Sequence, residues 1–140
     1  LLIFPYGHIA PDPAILDGAS ACIREWSRSL GIFLRKVPEA QLILTVISGV
    51  ITREYLRHPL PNMFSGFERR RIIEFMQMIK QMIFHQTKDL YPKVSFKREE
   101  FHGSQRDFDI ETHMETIISQ ELDLLKAHMK TFYPTISPLV

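Results

Sequence analysis

From Ala40 to Ile51 the chain carries no charged residue, reading Ala-Gln-Leu-Ile-Leu-Thr-Val-Ile-Ser-Gly-Val-Ile. Wound as a helix, this run is apolar nearly all round, and a helix of that kind belongs inside a bundle rather than on its surface. It predicts a central helix over about 39–57, with the other periodic segments as its amphipathic cover. The run is much shorter than the roughly 20 apolar residues that cross a bilayer, so no membrane span is expected.

The segment before it has apolar residues at Ile15, Leu16, Ala19, Cys22, Ile23, Trp26, Leu30, Phe33, Leu34 and Val37. Steps of three and four over this distance predict an amphipathic helix over about 12–36. Asp12-Pro13 supplies a start for it, a capping carboxylate followed by a proline at the first turn. Gly31 lies within it, at a kink or a close crossing. Val37-Pro38-Glu39 is a short break that makes the first two helices antiparallel neighbours. Residues 1–11 are apolar but interrupted by Pro5, Gly7 and Pro11, so they read as an extended arm.

His58-Pro59-Leu60-Pro61-Asn62 ends the second helix. Ser65 and Glu68 have the spacing of a capping box, and a third helix is predicted over about 66–90. Its stripe is Ile72, Ile73, Phe75, Met76, Ile79, Met82, Ile83 and Leu90, widened by Met78 and Phe84. Residues 92–108 lack a helical stripe and read as a long loop, anchored by Val94, Phe96 and Phe101. Asp107 or Asp109 caps a last helix over about 109–132, striped by Ile110, Met114, Ile117, Ile118, Leu122, Leu125, Met129 and Phe132, with Glu111, Glu115, Glu121 and Asp123 on its exposed side. The expected fold is all-α: an antiparallel four-helix bundle with an extended N-terminal arm and a long loop before the last helix.

With 140 residues, 45% hydrophobic and 24% charged, the chain has the size and composition of one soluble domain. Its apolar, proline-bearing ends read as those of a segment of a larger protein. A single cysteine, Cys22, excludes an internal disulfide and fits a reducing compartment, so a cytoplasmic location is expected. The charge is divided unevenly. Residues 1–98 hold 14 Lys/Arg against 8 Asp/Glu, a net of +6, while residues 99–140 hold 3 against 8, a net of −5. Such a division lets an acidic last helix face a basic neighbour within the fold, or gives the chain two kinds of surface.

No motif points to chemistry. On the predicted helices no Glu has a His three residues on, as a carboxylate-bridged metal bundle requires on two of them, and the one such spacing, Glu99/His102, falls in the predicted loop. Glu54/His58, Asp109/His113 and Glu111/Glu115 come nearest and read as helix surface. Paired cysteines, glycine-rich phosphate loops and His-Glu-x-x-His are absent, so neither metal nor cofactor is expected. His85 and His102 are the nearest to a phosphotransfer or catalytic histidine, and Cys22 on its apolar stripe reads as buried and inert.

Two surfaces remain. The Met- and Phe-rich part of the third helix, including Met78 and Phe84, exceeds what one buried face needs and suits a protein partner. Arg53 and Arg57 at the end of the second helix, with Arg69, Arg70 and Arg71 at the start of the third, can share one end of the bundle and meet nucleic acid or an acidic protein. The leading expectation is a non-enzymatic module for protein–protein interaction, scaffolding or self-association within a larger intracellular protein. The alternative is a helical domain that binds nucleic acid through the basic patch.

Overall fold

The structure is a computed structural model, and it describes residues 2–7, 10–52, 59–84, 90–99 and 109–134. Of residues 60, 62, 66–68, 70, 71 and 84 it describes the backbone alone. In chain order the elements are α1 (Ala19–Arg24), α2 (Ser29–Lys36), β1 (Leu42–Ser48), α3 (Pro59–Asn62), α4 (Gly66–Phe84), β2 (Lys93–Glu99) and α5 (Ile110–Phe132). The fold is therefore mixed α and β, and the all-α four-helix bundle is corrected.

The central correction falls on the uncharged run. Leu42–Ser48 is a strand that alternates exposed and buried residues, with Leu44, Val46 and Ser48 inward and Ile43, Thr45 and Ile47 outward. A short apolar run fits a buried strand as well as a buried helix, and side-chain shape decides between them. Ile43, Thr45, Val46 and Ile47 are all β-branched, stiff at χ1 and better suited to a pleated strand. Gly49 then ends the strand at φ 72°, where a Cβ would lie 2.8 Å from the Tyr91 carbonyl oxygen. Neither the conformation nor the space accepts a side chain there.

The predicted 92–108 loop contains the second strand. β2 pairs antiparallel with β1 in a two-stranded ribbon, from Leu42 opposite Glu99 to Ser48 opposite Lys93. The 44-residue connection between the two strands carries α3 and α4.

The predicted 12–36 helix is two helices. Between them Trp26 N–H bonds to the Ile23 carbonyl, Ser27 N–H turns aside to the Pro5 carbonyl, and the Ser27 hydroxyl accepts from Ser29 N–H. A serine that offers its own oxygen to nearby backbone competes with helix continuation. Asp12 does not cap a helix, because α1 begins only at Ala19. The third predicted helix is present as α4 and is described only to Phe84, and the Glu68 side chain of the proposed capping box lies outside the description.

The last helix agrees closely with its stripe. Asp109 is its N-cap, with the carboxylate accepting from Thr112 N–H at 3.0 Å, and Asp107 lies outside the described residues. α5 packs against α1, α2 and both strands. Ala19, Ile23, Val46, Leu122, Leu125 and Met129 form one core cluster, and Leu30, Leu34, Leu44, Met114 and Ile117 form a second. Half-buried Trp26, Ile118 and Leu124 touch both. A third small cluster, Ile51 and Ile73 with Ile15, Leu16 and Met76, attaches α4. Among the described residues no helix is long and apolar enough to cross a membrane.

Gly31 marks the close crossing of α2 over α5. A Cβ at this position would lie 2.7 Å from Ile110 Cγ2 and 3.1 Å from Met114 Cγ. The Gly31→Ala variant gains about 1 kcal/mol of helix propensity, against overpacking of about 1–3 kcal/mol. The denaturant midpoint is expected to fall, with the slope unchanged. A midpoint that rises would show that the two helices do not press together here.

Candidate functional site

The densest polar structure lies where β1 ends. Asp12 is buried, and its carboxylate accepts from four backbone N–H groups. Oδ1 receives Ala14 at 3.0 Å and Gly49 at 3.1 Å, while Oδ2 receives Val50 at 2.8 Å and Ile51 at 3.2 Å. Three successive amides of one turn form a nest for an anion, and the chain supplies that anion itself. From the other side, Gln77 of α4 donates through Nε2 to the Val50 carbonyl at 2.8 Å and accepts through Oε1 from Thr52 N–H at 3.0 Å. One carboxylate and one amide thus satisfy the backbone of a turn that no ladder or helix covers.

Beside this turn a second network links both strands to α5. His128 Nε2 lies 2.7 Å from Ser48 Oγ, and Nδ1 lies 2.8 Å from Ser95 Oγ. Ser48 Oγ also meets the Tyr133 hydroxyl at 3.0 Å. A neutral imidazole has one donor and one acceptor nitrogen, and two rotatable hydroxyls can match either tautomer. Burial pushes the His128 pKa below its ordinary value, and the Asp12 charge opposes that shift.

A Ser–His contact of 2.7 Å is also the spacing of a nucleophile and its base. Here, however, Ser48 is 0% and His128 1% exposed, and both ring nitrogens already face a hydroxyl. What this arrangement does chemically is satisfy buried polar atoms and fasten the ribbon to α5. Among the described residues no group of three His, Cys, Asp or Glu side chains is placed to hold a metal ion.

Glu121, expected on the exposed side of the last helix, is instead 3% exposed on its buried side. It stands four residues after Ile117 and four before Leu125, so it shares their face. Its Oε2 has no hydrogen-bond partner, and burial raises its pKa from 4.5 to about 7.

The residues singled out in the sequence are only partly gathered. Met78 is exposed on α4. Arg69 is half-buried near the start of α4, while only the backbone of Arg70, Arg71 and Phe84 is described. Arg53, Arg57, His58, His85 and His102 lie outside the described residues, so the shared basic end is not part of the described geometry. Asp109 and His113 meet within one helical turn, with His113 Nδ1 2.8 Å from the Asp109 carbonyl oxygen. Cys22 is buried, as its stripe position indicates.

Sequence reasoning missed Asp12 as a tertiary anchor and missed Gln77, Ser48, Ser95, His128 and Tyr133 altogether. A signal existed for two of these, and for the buried position of Glu121. Gln77, Glu121 and His128 are polar residues at helix positions that continue an apolar stripe, and such a residue has to find a buried partner or pay a desolvation penalty. No family model, curated protein or solved structure significantly matches the chain.

The two buried titratable groups act on stability with opposite signs. Between pH 4.5 and about 7 native Glu121 holds a proton that the unfolded chain has released, so its contribution falls as pH rises and the full penalty stands above pH 7. His128 stays neutral in the fold where the unfolded ring takes up a proton, so stability falls as pH drops below 6.5. The Glu121→Gln variant removes only the first effect. It is expected to be more stable than the parent at pH 8, by up to about 3 kcal/mol, with the advantage vanishing near pH 4.5. Urea denaturation across this range measures the difference, and a gap independent of pH would contradict the buried, neutral carboxyl.

Proposed function

We propose that the chain is a non-enzymatic protein–protein interaction or assembly module, with α4 presenting one of its contact faces. The observation that carries this reading is the division of α4 into two sides. Ile73 and Gln77 are buried and hold the helix to the β1 exit turn. Phe75, Met78, Met82 and Ile83 are large, apolar and exposed. At 3.6 residues per turn, Phe75, Met78 and Met82 fall within about 60° of one another and roughly opposite the buried pair.

A helix with an apolar stripe on its outer side leaves that stripe in water unless a partner covers it. The spacing i, i+3, i+7 is that of anchors which enter a groove or pack along another helix. Methionine supports the reading further, because its unbranched thioether adapts to more than one surface. Aligned apolar side chains held away from the core support a docking role more directly than any charged feature of the described residues.

The test compares the chain with its Met78→Glu and Met82→Glu variants. Both positions are exposed, so secondary structure and the denaturant midpoint should be nearly unchanged. Binding of a hydrophobic fluorescent dye is expected to drop in both, and partner proteins retained by the parent from a cell extract should be lost at least about 10-fold. If quantitative mass spectrometry finds the same retained proteins on parent and variants, this face does not dock a partner.

A further inference from the structure

From the outer face of the ribbon we infer that the chain self-associates, two copies closing sheet against sheet over Ile43, Ile47, Val94 and Phe96. This deepens the assembly reading but uses a surface separate from α4.

In an antiparallel ribbon, directly opposed residues share a face. The register therefore places Ile47 with Val94, Thr45 with Phe96 and Ile43 with Arg98 on one side. On the other side Leu42, Leu44, Val46 and Ser48 stand with Glu99, Lys97, Ser95 and Lys93, and it is this side whose Leu44 and Val46 enter the core with α5. A sheet with one covered face ordinarily turns its apolar residues inward and its polar residues to water. β2 does the reverse. Its polar residues Lys93, Ser95, Lys97 and Glu99 share the α5 side, and its apolar residues point away from it.

The outward residues are strongly exposed, with Ile43 at 58%, Ile47 at 50%, Val94 at 50% and Phe96 at 75%. They leave on the order of 450 Å² of apolar surface in water, the size at which a patch marks an interaction site. Two such patches buried against each other remove on the order of 900 Å² from water, the low end of specific interfaces, where contacts are weak and depend on concentration.

A second copy fits this face for two reasons. Sheets pack face to face about 10 Å apart when their twists match, and an identical ribbon has the same twist and length. The charge also permits it. Arg98 is the one ionic residue on the outer side of the seven register pairs. A two-fold axis crossing the strands at the Thr45–Phe96 pair carries the second Arg98 to the opposite end, about 13 Å away along the strand direction. With the separation between sheets added, the guanidinium groups lie well beyond the screening length of about 8 Å at physiological salt. The centre of the contact is then apolar on apolar, and the four strands form two layers packed face to face.

Sedimentation velocity of the full chain over a concentration series tests the inference. The parent is expected to reach a dimer by about 100 µM. Phe96→Glu and Thr45→Glu are both exposed substitutions and are each expected to weaken dimerisation at least about 10-fold, with circular dichroism unchanged. Should one of them lose its helical signal, the other decides. Met82→Glu on α4 should leave the dimer intact. A parent that stays monomeric at about 100 µM would overturn self-association and leave the ribbon face to a different protein, without touching the reading of α4. A dimer that survives both ribbon substitutions, or that is lost in Met82→Glu instead, would also overturn it.

Discussion

The Asp12 carboxylate joins the segment before α1 to the exit of β1 through hydrogen bonds from Ala14, Gly49, Val50 and Ile51. Much of the remaining architecture depends on that junction. The turn after Ser48 has to leave the ribbon sharply, and its amides point where no strand can receive them. Left buried without partners, each would cost about 1–3 kcal/mol. With Asp12 on one side and Gln77 on the other, the same turn becomes the point where the N-terminal segment, the ribbon and α4 meet. Ile51 and Ile73, both buried, pack directly beneath it.

The His128 network extends this junction toward α5. Ser48 is the last residue of β1, immediately before the turn, and its hydroxyl meets both His128 and Tyr133. Ser95 brings β2 to the same ring. Polar atoms thus fix where the ribbon sits along α5, and the apolar clusters on either side of Val46 and Leu44 supply the burial. Non-directional burial holds the layers together, while directional bonds choose one register among many. Glu121 is the exception on this face, a buried acid without a hydrogen-bond partner on Oε2 that makes the fold more stable when protonated.

How much of this was legible in the sequence differs by element. α5 could be read from its stripe and its Asp109 cap because its length lets the 3.6-residue period accumulate. α4 was legible as a helix for the same reason, but its buried face was not: Phe75, Met82 and Ile83, read as part of its apolar stripe, are exposed. The strands were not. β1 is apolar on both faces, so it has no alternation to reveal it, and only its β-branched content argued against a helix. β2 does alternate, as Val-Ser-Phe-Lys, but seven residues following a proline resemble an anchored loop. Its partner strand was also 44 residues away, and pairing at that separation leaves no local mark. The role of Asp12 was hidden in the same way. Asp-Pro is a good helix start in isolation, and nothing nearby in sequence shows that the carboxylate reaches residues 49–51.

Hydrogen exchange at the Gly49, Val50 and Ile51 amides tests the central claim most directly. In the parent chain these three are expected to be protected, although they belong to no helix or strand. Replacing Asp12 with alanine should accelerate their exchange by about 10- to 100-fold relative to the β1 amides, and asparagine should retain part of the protection. If the three amides exchange at free-peptide rates in the parent, or if their protection is unchanged without the carboxylate, Asp12 is not the anchor of this turn and the account of the fold built on it fails.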